Sequence, residues 1–292
     1  MPQLDPFVTW RWCETHRASI SIADARWYWD RPGADAYRAG HIPGAVFIDL
    51  DADLTGDVGE ATGRQPFPEP EQFAAAMSDS GIDGTRPVVA YDDAGGVIAA
   101  RLVWMLRLLD VPAAVLSGGI GQYPGALETR VIRPEPARFT PRPWPSGALW
   151  STTDVATRTA GTLVDARPAN RFRGDEPEVD SRLGKVPEAD PRRGHIPEAV
   201  NVPCRDHLEK SGMIAPREHV RQTFAAAGIQ DATNVISYCG AGVTACHNLL
   251  AMEYAGLGRG ALYPGSWSAW SRTLHLPTEL GPADRDDPAD VN

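Results

Sequence analysis

An internal repeat constrains the fold of this chain more than any other feature of its sequence. Residues 40–46 read Gly-His-Ile-Pro-Gly-Ala-Val, and residues 194–200 read Gly-His-Ile-Pro-Glu-Ala-Val. The run Val-Val-Ala-Tyr-Asp at 88–92 recurs as Val-Ile-Ser-Tyr-Cys at 235–239, with the tyrosines aligned. A third pair of segments, each a glycine-containing turn followed by an aromatic residue, comes later in both halves. Because three segments recur in the same order, the sequence predicts two copies of one domain.

The predicted secondary structure places both copies in the α/β class. In the first half, residues 87–91 are predicted as a central strand and residues 95–109 as the helix after it. Residues 234–238 and 244–254 form the corresponding pair in the second half. Strands that alternate with helices form mainly parallel sheets covered by helices on both faces. We therefore expect two tandem α/β domains, with ligands bound beyond the carboxyl ends of the strands.

The domain boundaries follow from length and local composition. A chain of 292 residues suits two domains of ordinary size. We expect the first domain to span 1–130 and the second to span 149–280. Residues 131–148 are rich in proline, which predicts an extended linker along the surface. The tail, 281–292, is rich in Pro and Asp and is predicted to be disordered.

The strand predicted at 234–238 ends on Cys239, which is followed by a loop of small residues and a helix. Backbone N–H groups converge at the N-terminus of such a helix. This environment favours thiolate over thiol. The sequence therefore predicts a nucleophilic cysteine in a cradle of amides, which would be supplied by Gly240, Ala241, Gly242, Val243 and Thr244.

Three other cysteine chemistries lack the residues that they need. A cysteine phosphatase needs an arginine six positions after the nucleophile to hold the phosphoryl oxygens, and Ala245 stands there. A thioredoxin-type site needs Cys-x-x-Cys, whereas the next cysteine is Cys246, which we expect in the core. A zinc site needs clustered Cys and His at ligand spacing, which this sequence does not show. The remaining chemistry for such a cysteine is to carry a transferred group on its sulfur atom. If the transferred group is itself a sulfur atom, the intermediate is a persulfide.

The first copy has Asp92 at the position of Cys239. A carboxylate cannot form a persulfide. We therefore expect the first domain to be catalytically inert and the second to carry the chemistry.

Together these residues resemble the tandem-domain rhodanese family, which comprises thiosulfate sulfurtransferase and 3-mercaptopyruvate sulfurtransferase. The family's active loop, Cys-x-x-Gly-Val-Thr-Ala, matches residues 239–245, and Gly-His-Ile-Pro occurs in both halves, as the family requires. The resemblance covers roughly residues 15–277. It implies sulfur transfer from a small anionic donor through a persulfide on Cys239, with no metal or organic cofactor. It also implies that His41 and His195 pack their turns instead of acting as acids or bases.

The same resemblance implies two further site residues. Arg171 matches the arginine that holds the anionic donor, a task for which a guanidinium is suited. The alternative for Arg171 is an exposed surface arginine. Trp27 matches an aromatic residue that the inert half places opposite the catalytic loop, and ordinary packing between the domains is its alternative.

The donor is open because the chain departs from both patterns in the family. Thiosulfate enzymes of the vertebrate type carry Arg and Lys after the cysteine, where this chain has Gly240 and Ala241. Mercaptopyruvate enzymes use a serine, an aspartate and a histidine as a proton relay, and the matching residues here are Ala241, Asp51 and Gln65. Since sulfite leaves as an anion and needs little acid–base help, the sequence favours thiosulfate, with 3-mercaptopyruvate as the alternative.

A second donor-binding arginine of the mercaptopyruvate enzymes aligns with Asp180. Arg182, Arg192 or Arg193 could compensate for its loss. These arginines belong to the polar stretch 174–194, which is either a flap over the site or a surface excursion.

Composition limits the partners. A net charge of −10 argues against nucleic acid and acidic membranes, and no apolar run reaches membrane-span length. The N-terminus shows no signal-peptide pattern, and the four cysteines lack a disulfide framework. We expect a cytoplasmic monomer whose acceptor is cyanide or a thiol, with a protein thiol as one candidate. An alternative of another class is a non-enzymatic sulfur carrier or protein-interaction module.

Overall fold

Two parallel sheets form the framework of the protein. The computed structural model describes residues 4–59, 62–175 and 190–282, together with the backbone of residues 179–180 and 184–185. Each half contributes one of these sheets, which confirms the predicted class of two tandem α/β domains.

The first sheet has five parallel strands in the order β1-β5-β4-β2-β3. Its strands are β1 (Phe7–Val8), β2 (Ser21–Asp24), β3 (Val46–Phe47), β4 (Val88–Tyr91) and β5 (Ala113–Leu116). The helices of this half are α1 (Trp10–Thr15), α2 (Gly33–Ala39), α3 (Leu50–Asp53), α4 (Pro70–Asp79) and α5 (Ala100–Leu108).

The second half repeats this plan with a four-stranded parallel sheet in the order β11-β10-β6-β9, while β7 and β8 form a separate antiparallel pair. The strands are β6 (Thr162–Asp165), β7 (Val179–Asp180), β8 (Gly184–Lys185), β9 (Val200–Asn201), β10 (Val235–Tyr238) and β11 (Ala261–Leu262). The helices are α6 (Thr152–Ala156), α7 (Ala169–Arg173), α8 (Arg217–Ala226), α9 (Thr244–Tyr254) and α10 (Ser266–Arg272).

The central strands of the two sheets, β4 and β10, are the two repeated apolar runs. Every residue of both strands is buried, as expected for parallel strands covered on both faces. The tyrosine that closes each strand has the same task. The Tyr91 hydroxyl accepts a hydrogen bond from the Ile42 N–H at 3.0 Å, and the Tyr238 hydroxyl accepts one from the Ile196 N–H at 3.3 Å.

The repeated histidines pack their turns, as expected. His41 stacks on Tyr37, with ring centroids 3.8 Å apart, and its Nδ1 donates to the Tyr37 carbonyl at 2.8 Å. His195 stacks on Phe172 at 3.6 Å, and its Nδ1 donates to the Phe172 carbonyl at 2.9 Å. Neither ring lines the cavity beside Cys239.

The helix predicted at 95–109 begins later, at Ala100. Gly95 and Gly96 have φ values of +87° and +88°, in the left-handed region that a right-handed helix cannot contain. The chain between β4 and α5 is therefore a wide loop. Its amides face the Asp92 side chain instead of forming helical hydrogen bonds.

The two halves pack through α5 and α9, which lie against each other. The Arg107 guanidinium of α5 contacts the Glu253 carboxylate of α9 at 2.5 Å. The chain between the halves lies on the first half. There the Phe139 N–H donates to Ser78 Oγ at 3.0 Å, and the Trp144 indole donates to the Pro68 carbonyl at 2.9 Å.

Two further predictions concern the C-terminal tail and the absence of membrane-spanning segments. The tail predicted at 281–292 lies outside the described residues beyond position 282. Across the described ranges, no helix is long and apolar enough to cross a membrane.

Candidate active site

Cys239 lies directly after the central strand β10, where the chain turns toward α9. Its side chain is buried, and the residue is only 2% exposed. The Gly242 N–H donates a hydrogen bond to Cys239 Sγ at 3.1 Å. The thiol therefore faces the loop between β10 and α9 and accepts a hydrogen bond from one of its amides.

The first residues of α10 hold this loop in place through hydrogen bonds. Ser266 Oγ accepts from the Cys239 N–H at 3.1 Å and donates to the Tyr263 carbonyl at 2.9 Å. The N–H groups of Trp267 and Ser268 donate to the carbonyls of Cys239 and Gly240, both at 2.9 Å. Because these bonds fix the backbone on both sides of the thiol, they orient Sγ.

Most of the catalytic loop opens on a cavity of about 710 Å³. Its lining includes Cys239 and four of the predicted cradle residues: Gly240, Ala241, Val243 and Thr244. Gly242, the fifth cradle residue, does not line the cavity. It adopts φ +78°, and a Cβ at this position would come within 2.6 Å of the Pro264 carbonyl oxygen. Only glycine fits this position without displacing the loop.

Two guanidinium groups lie over Gly240 at the floor of the cavity. A Cβ built on Gly240 would be 3.2 Å from Arg64 Nη2 and 3.8 Å from Arg171 Nη1. Arg171 projects from α7 and lines the cavity, so it is not the exposed surface arginine of the alternative. Burial is the largest cause that lowers the pKa of Arg171, and the charge of Arg167 adds to it. Arginine has so high an ordinary pKa that the group stays charged.

Sequence reasoning missed Arg64. Its one signal was that it precedes Gln65, which we had aligned with a relay position. Arg64 adds a second cationic group beside Gly240 to Arg171, the one that the sequence had predicted.

Asp190 bridges these two arginines. Its carboxylate contacts Arg64 Nη1 and lies 3.4 Å from Arg171 Nη2, and its side chain is 8% exposed. Asp190 belongs to the polar stretch 174–194, of which residues 176–178, 181–183 and 186–189 lie outside the described residues. The alternatives of a flap and a surface excursion concern mainly these residues, but the Asp190 carboxylate of the stretch lies between the two arginines of the site.

The first half contributes one wall of the cavity through Trp27 and Trp29, whose rings pack edge to face at 4.4 Å. The Trp27 indole donates to Asp51 Oδ2 at 2.6 Å, and Gln65 Nε2 donates to Asp51 Oδ1 at 3.0 Å. Two of the three aligned relay positions, those of Asp51 and Gln65, are therefore in direct contact. With Gln65 and Ala241 in place of an imidazole and a hydroxyl, they hold no proton-transfer chain.

Two of the three arginines suggested as substitutes for a second donor-binding cation, Arg192 and Arg193, do not reach the cavity. The Arg192 guanidinium lies at the C-terminal end of α10. It donates to four carbonyl oxygens at 2.5–3.0 Å, those of Ser271, Leu276, Trp270 and Thr273. Arg193 is exposed and does not line the cavity. Arg182 lies outside the described residues, as does the side chain of Asp180.

The other cysteines of the second half are packed in the core. Burial raises the pKa of both Cys204 and Cys246 to about 12. The Cys246 thiol donates to the Gly242 carbonyl at 3.4 Å, which places it behind the loop as a core residue, as expected. These thiols are poor nucleophiles at neutral pH.

At the position that corresponds to Cys239, the first half has a filled anion site. The Asp92 carboxylate is fully buried and accepts four backbone hydrogen bonds at 2.7–2.9 Å, from the N–H groups of Ala94, Gly96, Ile98 and Ala99. Burial raises the pKa of Asp92, and the four donors oppose that shift.

Comparison with known proteins agrees with this arrangement. The sequence profile of the family "Rhodanese-like domain" matches residues 9–125 and 151–273. A protein of Pseudomonas aeruginosa named "Probable 3-mercaptopyruvate sulfurtransferase" is 36% identical over 277 residues, covering 90% of this chain and 93% of its own. Thiosulfate sulfurtransferase of Mus musculus is 31% identical over 268 residues, covering 87% and 86%. The structure of 3-mercaptopyruvate sulfurtransferase from Leishmania major superposes with a TM-score of 0.79 at 29% identity, covering 92% of this chain and 74% of that one.

Proposed function

The chain belongs to the rhodanese family of tandem-domain sulfurtransferases, and from that premise we propose that it moves a sulfane sulfur from thiosulfate to a thiophilic acceptor through a persulfide on Cys239. The observation that carries the proposal is the position of the Cys239 thiol, at the floor of a cavity beside two guanidinium groups.

The reaction has two displacement steps. The Cys239 thiolate attacks the outer sulfur of thiosulfate, the sulfur–sulfur bond of the donor breaks, and sulfite departs with the electron pair. An acceptor, cyanide in the test tube or a thiol in the cell, then attacks the outer sulfur of the persulfide. The thiolate of Cys239 leaves and is ready for another cycle.

The catalytic loop stabilises the persulfide anion. The Gly242 N–H already donates to Sγ, and the amides of Gly240, Ala241, Val243 and Thr244 are near enough in sequence to surround one further sulfur atom. The positive end of the α9 dipole adds to this effect.

Donor binding falls to Arg171 and Trp27. The Arg171 guanidinium has several N–H donors for the oxyanion group of the donor. The Trp27 ring lines the same cavity, and its indole N–H donates to the Asp51 carboxylate, which fixes the orientation of the ring.

Thiosulfate is the preferred donor because the site provides little acid–base help. Gln65 occupies the position beside Asp51 where a mercaptopyruvate enzyme would carry histidine, and an amide does not titrate. 3-Mercaptopyruvate is the second candidate, because its carboxylate would suit the same guanidinium groups and because relatives bear that name. Sulfur transfer from 3-mercaptopyruvate would require another group to donate a proton to the carbon atom that loses the sulfur.

The remaining features of the proposal are that the Asp92 half does no chemistry and that no metal or organic cofactor takes part. A monomer located in the cytoplasm stays a prediction, as does a protein thiol as the cellular acceptor.

The test is a steady-state assay with cyanide as acceptor, in which thiosulfate and 3-mercaptopyruvate are compared on the wild type, Cys239→Ser and Cys13→Ser. Cys13 is buried in the first half and is the matched control. We expect a higher kcat/KM for thiosulfate, loss of activity in Cys239→Ser, and an active Cys13→Ser.

Two results would contradict the proposal. A preference for 3-mercaptopyruvate would show that the relay residues are dispensable and would change the donor. Inactivity of the wild type with both donors would favour the alternative of a sulfur carrier or interaction module without enzymatic turnover.

A further inference from the structure

We propose that Arg64, supplied by the half without the nucleophile, is a second donor-binding residue, and that Asp190 occupies the resulting two-arginine site until an anionic donor displaces it. The inference rests on the proposed sulfurtransferase function and adds to it a specificity-determining residue and an internal competitor.

The position of Arg64 supports direct contact with the donor. Its Nη2 would lie 3.2 Å from a Cβ on Gly240, slightly nearer than Arg171 Nη1 at 3.8 Å. The residue directly after the nucleophile therefore borders two guanidinium groups from opposite halves of the protein. A donor whose outer sulfur meets Cys239 would bring its anionic end between them, and Gly240 leaves the space that such a group needs.

The backbone of Arg64 is fixed to the catalytic half. Its N–H donates to Ser268 Oγ at 2.9 Å, and Gly63 approaches so closely that a Cβ there would lie 2.6 Å from the same oxygen. The guanidinium carbon is 5.9 Å from the centroid of the Trp29 ring, which also lines the cavity. Arg64 is thus held at the cavity floor by contacts that do not depend on Asp190.

The hydrogen-bonding capacity of the two arginines exceeds what Asp190 uses. Among the described residues, Arg64 Nε is buried without a hydrogen-bond partner. One carboxylate shared by two guanidinium groups leaves the pair with a net positive charge. A thiosulfate dianion, with three oxygens on its sulfonate end, would satisfy more of these donors than the two oxygens of Asp190.

These contacts give Arg64 and Asp190 opposite effects on donor affinity. If their ion pair served only to hold the structure together, removing either partner would harm the site in the same direction. If Asp190 competes with the donor, its neutralisation must strengthen donor binding while neutralisation of Arg64 weakens it.

Thiosulfate binding to a Cys239→Ala background, measured by calorimetry, tests this without turnover. We expect Arg64→Gln to raise the dissociation constant about tenfold to a hundredfold, the usual effect of losing a hydrogen bond to a charged group. Asp190→Asn should lower it about threefold, because a neutral amide competes less strongly than a carboxylate for the two guanidinium groups. Arg64→Lys, which keeps the charge without the planar fork, should recover part of the affinity.

Matched controls are Arg38→Gln, which removes an exposed arginine paired with Asp35, and Asp175→Asn, which removes an exposed carboxylate paired with Arg173. Both should bind thiosulfate as the Cys239→Ala background does. KM values of the same variants in the Cys239-containing enzyme should move in parallel with the dissociation constants.

The inference is overturned if Asp190→Asn weakens binding as Arg64→Gln does, or if Arg64→Gln leaves it unchanged. Either result can occur in an enzyme that transfers sulfur from thiosulfate, so the proposed function would stand. Inactivity of the wild type with both donors, together with no detectable binding, would instead overturn the proposed function.

Discussion

At the scale of single residues, Asp92 and Cys239 show what one position in this fold can do. Each directly follows a central strand, and its side chain faces the loop that leads to the next helix. In the first half that loop places four N–H groups on a carboxylate, and in the second half it places the Gly242 N–H on a thiol. The fold thus provides an anion site twice. In one half a side chain fills it permanently, while in the other the site is available for a charge that forms during the reaction.

This comparison predicts that Asp92 is needed for stability although it does no chemistry. Asp92→Ala leaves four buried N–H groups without their acceptor and should reduce the free energy of unfolding by ~3 kcal/mol. Asp92→Asn, which keeps one acceptor oxygen, should lose less. Urea denaturation measures the effect, and kcat of the folded fraction should stay near the wild-type value.

The exposed Asp57 of the same half provides the control. Asp57→Ala should unfold at the wild-type urea concentration. If Asp92→Ala did so as well, the four hydrogen bonds would have no net effect on stability.

At the scale of elements, the catalytic loop depends on the first turn of α10. Ser266 adopts φ +52°, which is unusual for a residue with a side chain. Its hydroxyl is the acceptor for the Cys239 N–H. The strain is compensated by the position of that hydroxyl, so the turn exchanges some stability for the orientation of the thiol.

The Ser266 variants should separate these two effects. Ser266→Ala and Ser266→Gly both remove the hydroxyl, so we expect both to lower kcat/KM about tenfold through a less well positioned thiol. Since glycine adopts positive φ freely, Ser266→Gly should be more stable than Ser266→Ala by about 1 kcal/mol. Steady-state kinetics and urea denaturation of the two variants provide the measurements.

Ser211→Ala, at an exposed position, is the control for the loss of a hydroxyl. Wild-type kcat/KM in both Ser266 variants would show that the Cys239 N–H needs no acceptor for catalysis.

The elements also show which parts of the fold and of the site could be predicted from the sequence alone. The strand and helix around Cys239 were predictable because an apolar run, a loop of small residues and a helical pattern follow one another locally. The start of α5 at Ala100 was not, because the loop conformation depends on a buried carboxylate, Asp92, that propensities do not include. Arg64 was missed for a related reason: it lies in a polar loop without periodicity, and its role depends on how the two halves dock.

At the scale of the whole molecule, the half without the nucleophile completes the site of the other half. Trp27, Arg64 and Arg101 all reach the catalytic region from the first half. Arg101 is fully buried, and burial lowers its pKa. It extends from α5 and donates to the Gly242 carbonyl of the catalytic loop at 2.8 Å. The half without a nucleophile thus supports the catalytic loop of the other half.

The other contacts of Arg101 explain why a buried charge is tolerated there. Its second terminal nitrogen donates to three carbonyl oxygens of the first half at 3.1–3.2 Å, those of Leu54, Gln65 and Pro66. One guanidinium therefore joins two loops of the first half to the loop that carries Cys239. Its removal would leave buried carbonyls in both halves without a donor.

We expect Arg101→Met to lower the free energy of unfolding by ~3 kcal/mol, because several buried acceptors lose their partner at once. Below the unfolding transition, kcat should also fall, since the Gly242 carbonyl loses the bond that holds the catalytic loop. Arg101→Lys retains the charge but spans fewer acceptors, so it should recover part of the stability and less of kcat. The exposed linker variant Arg133→Met is the control and should match the wild type in both measurements. If Arg101→Met lost stability but kept the wild-type kcat under conditions where it is fully folded, Arg101 would join the two halves without positioning the catalytic loop.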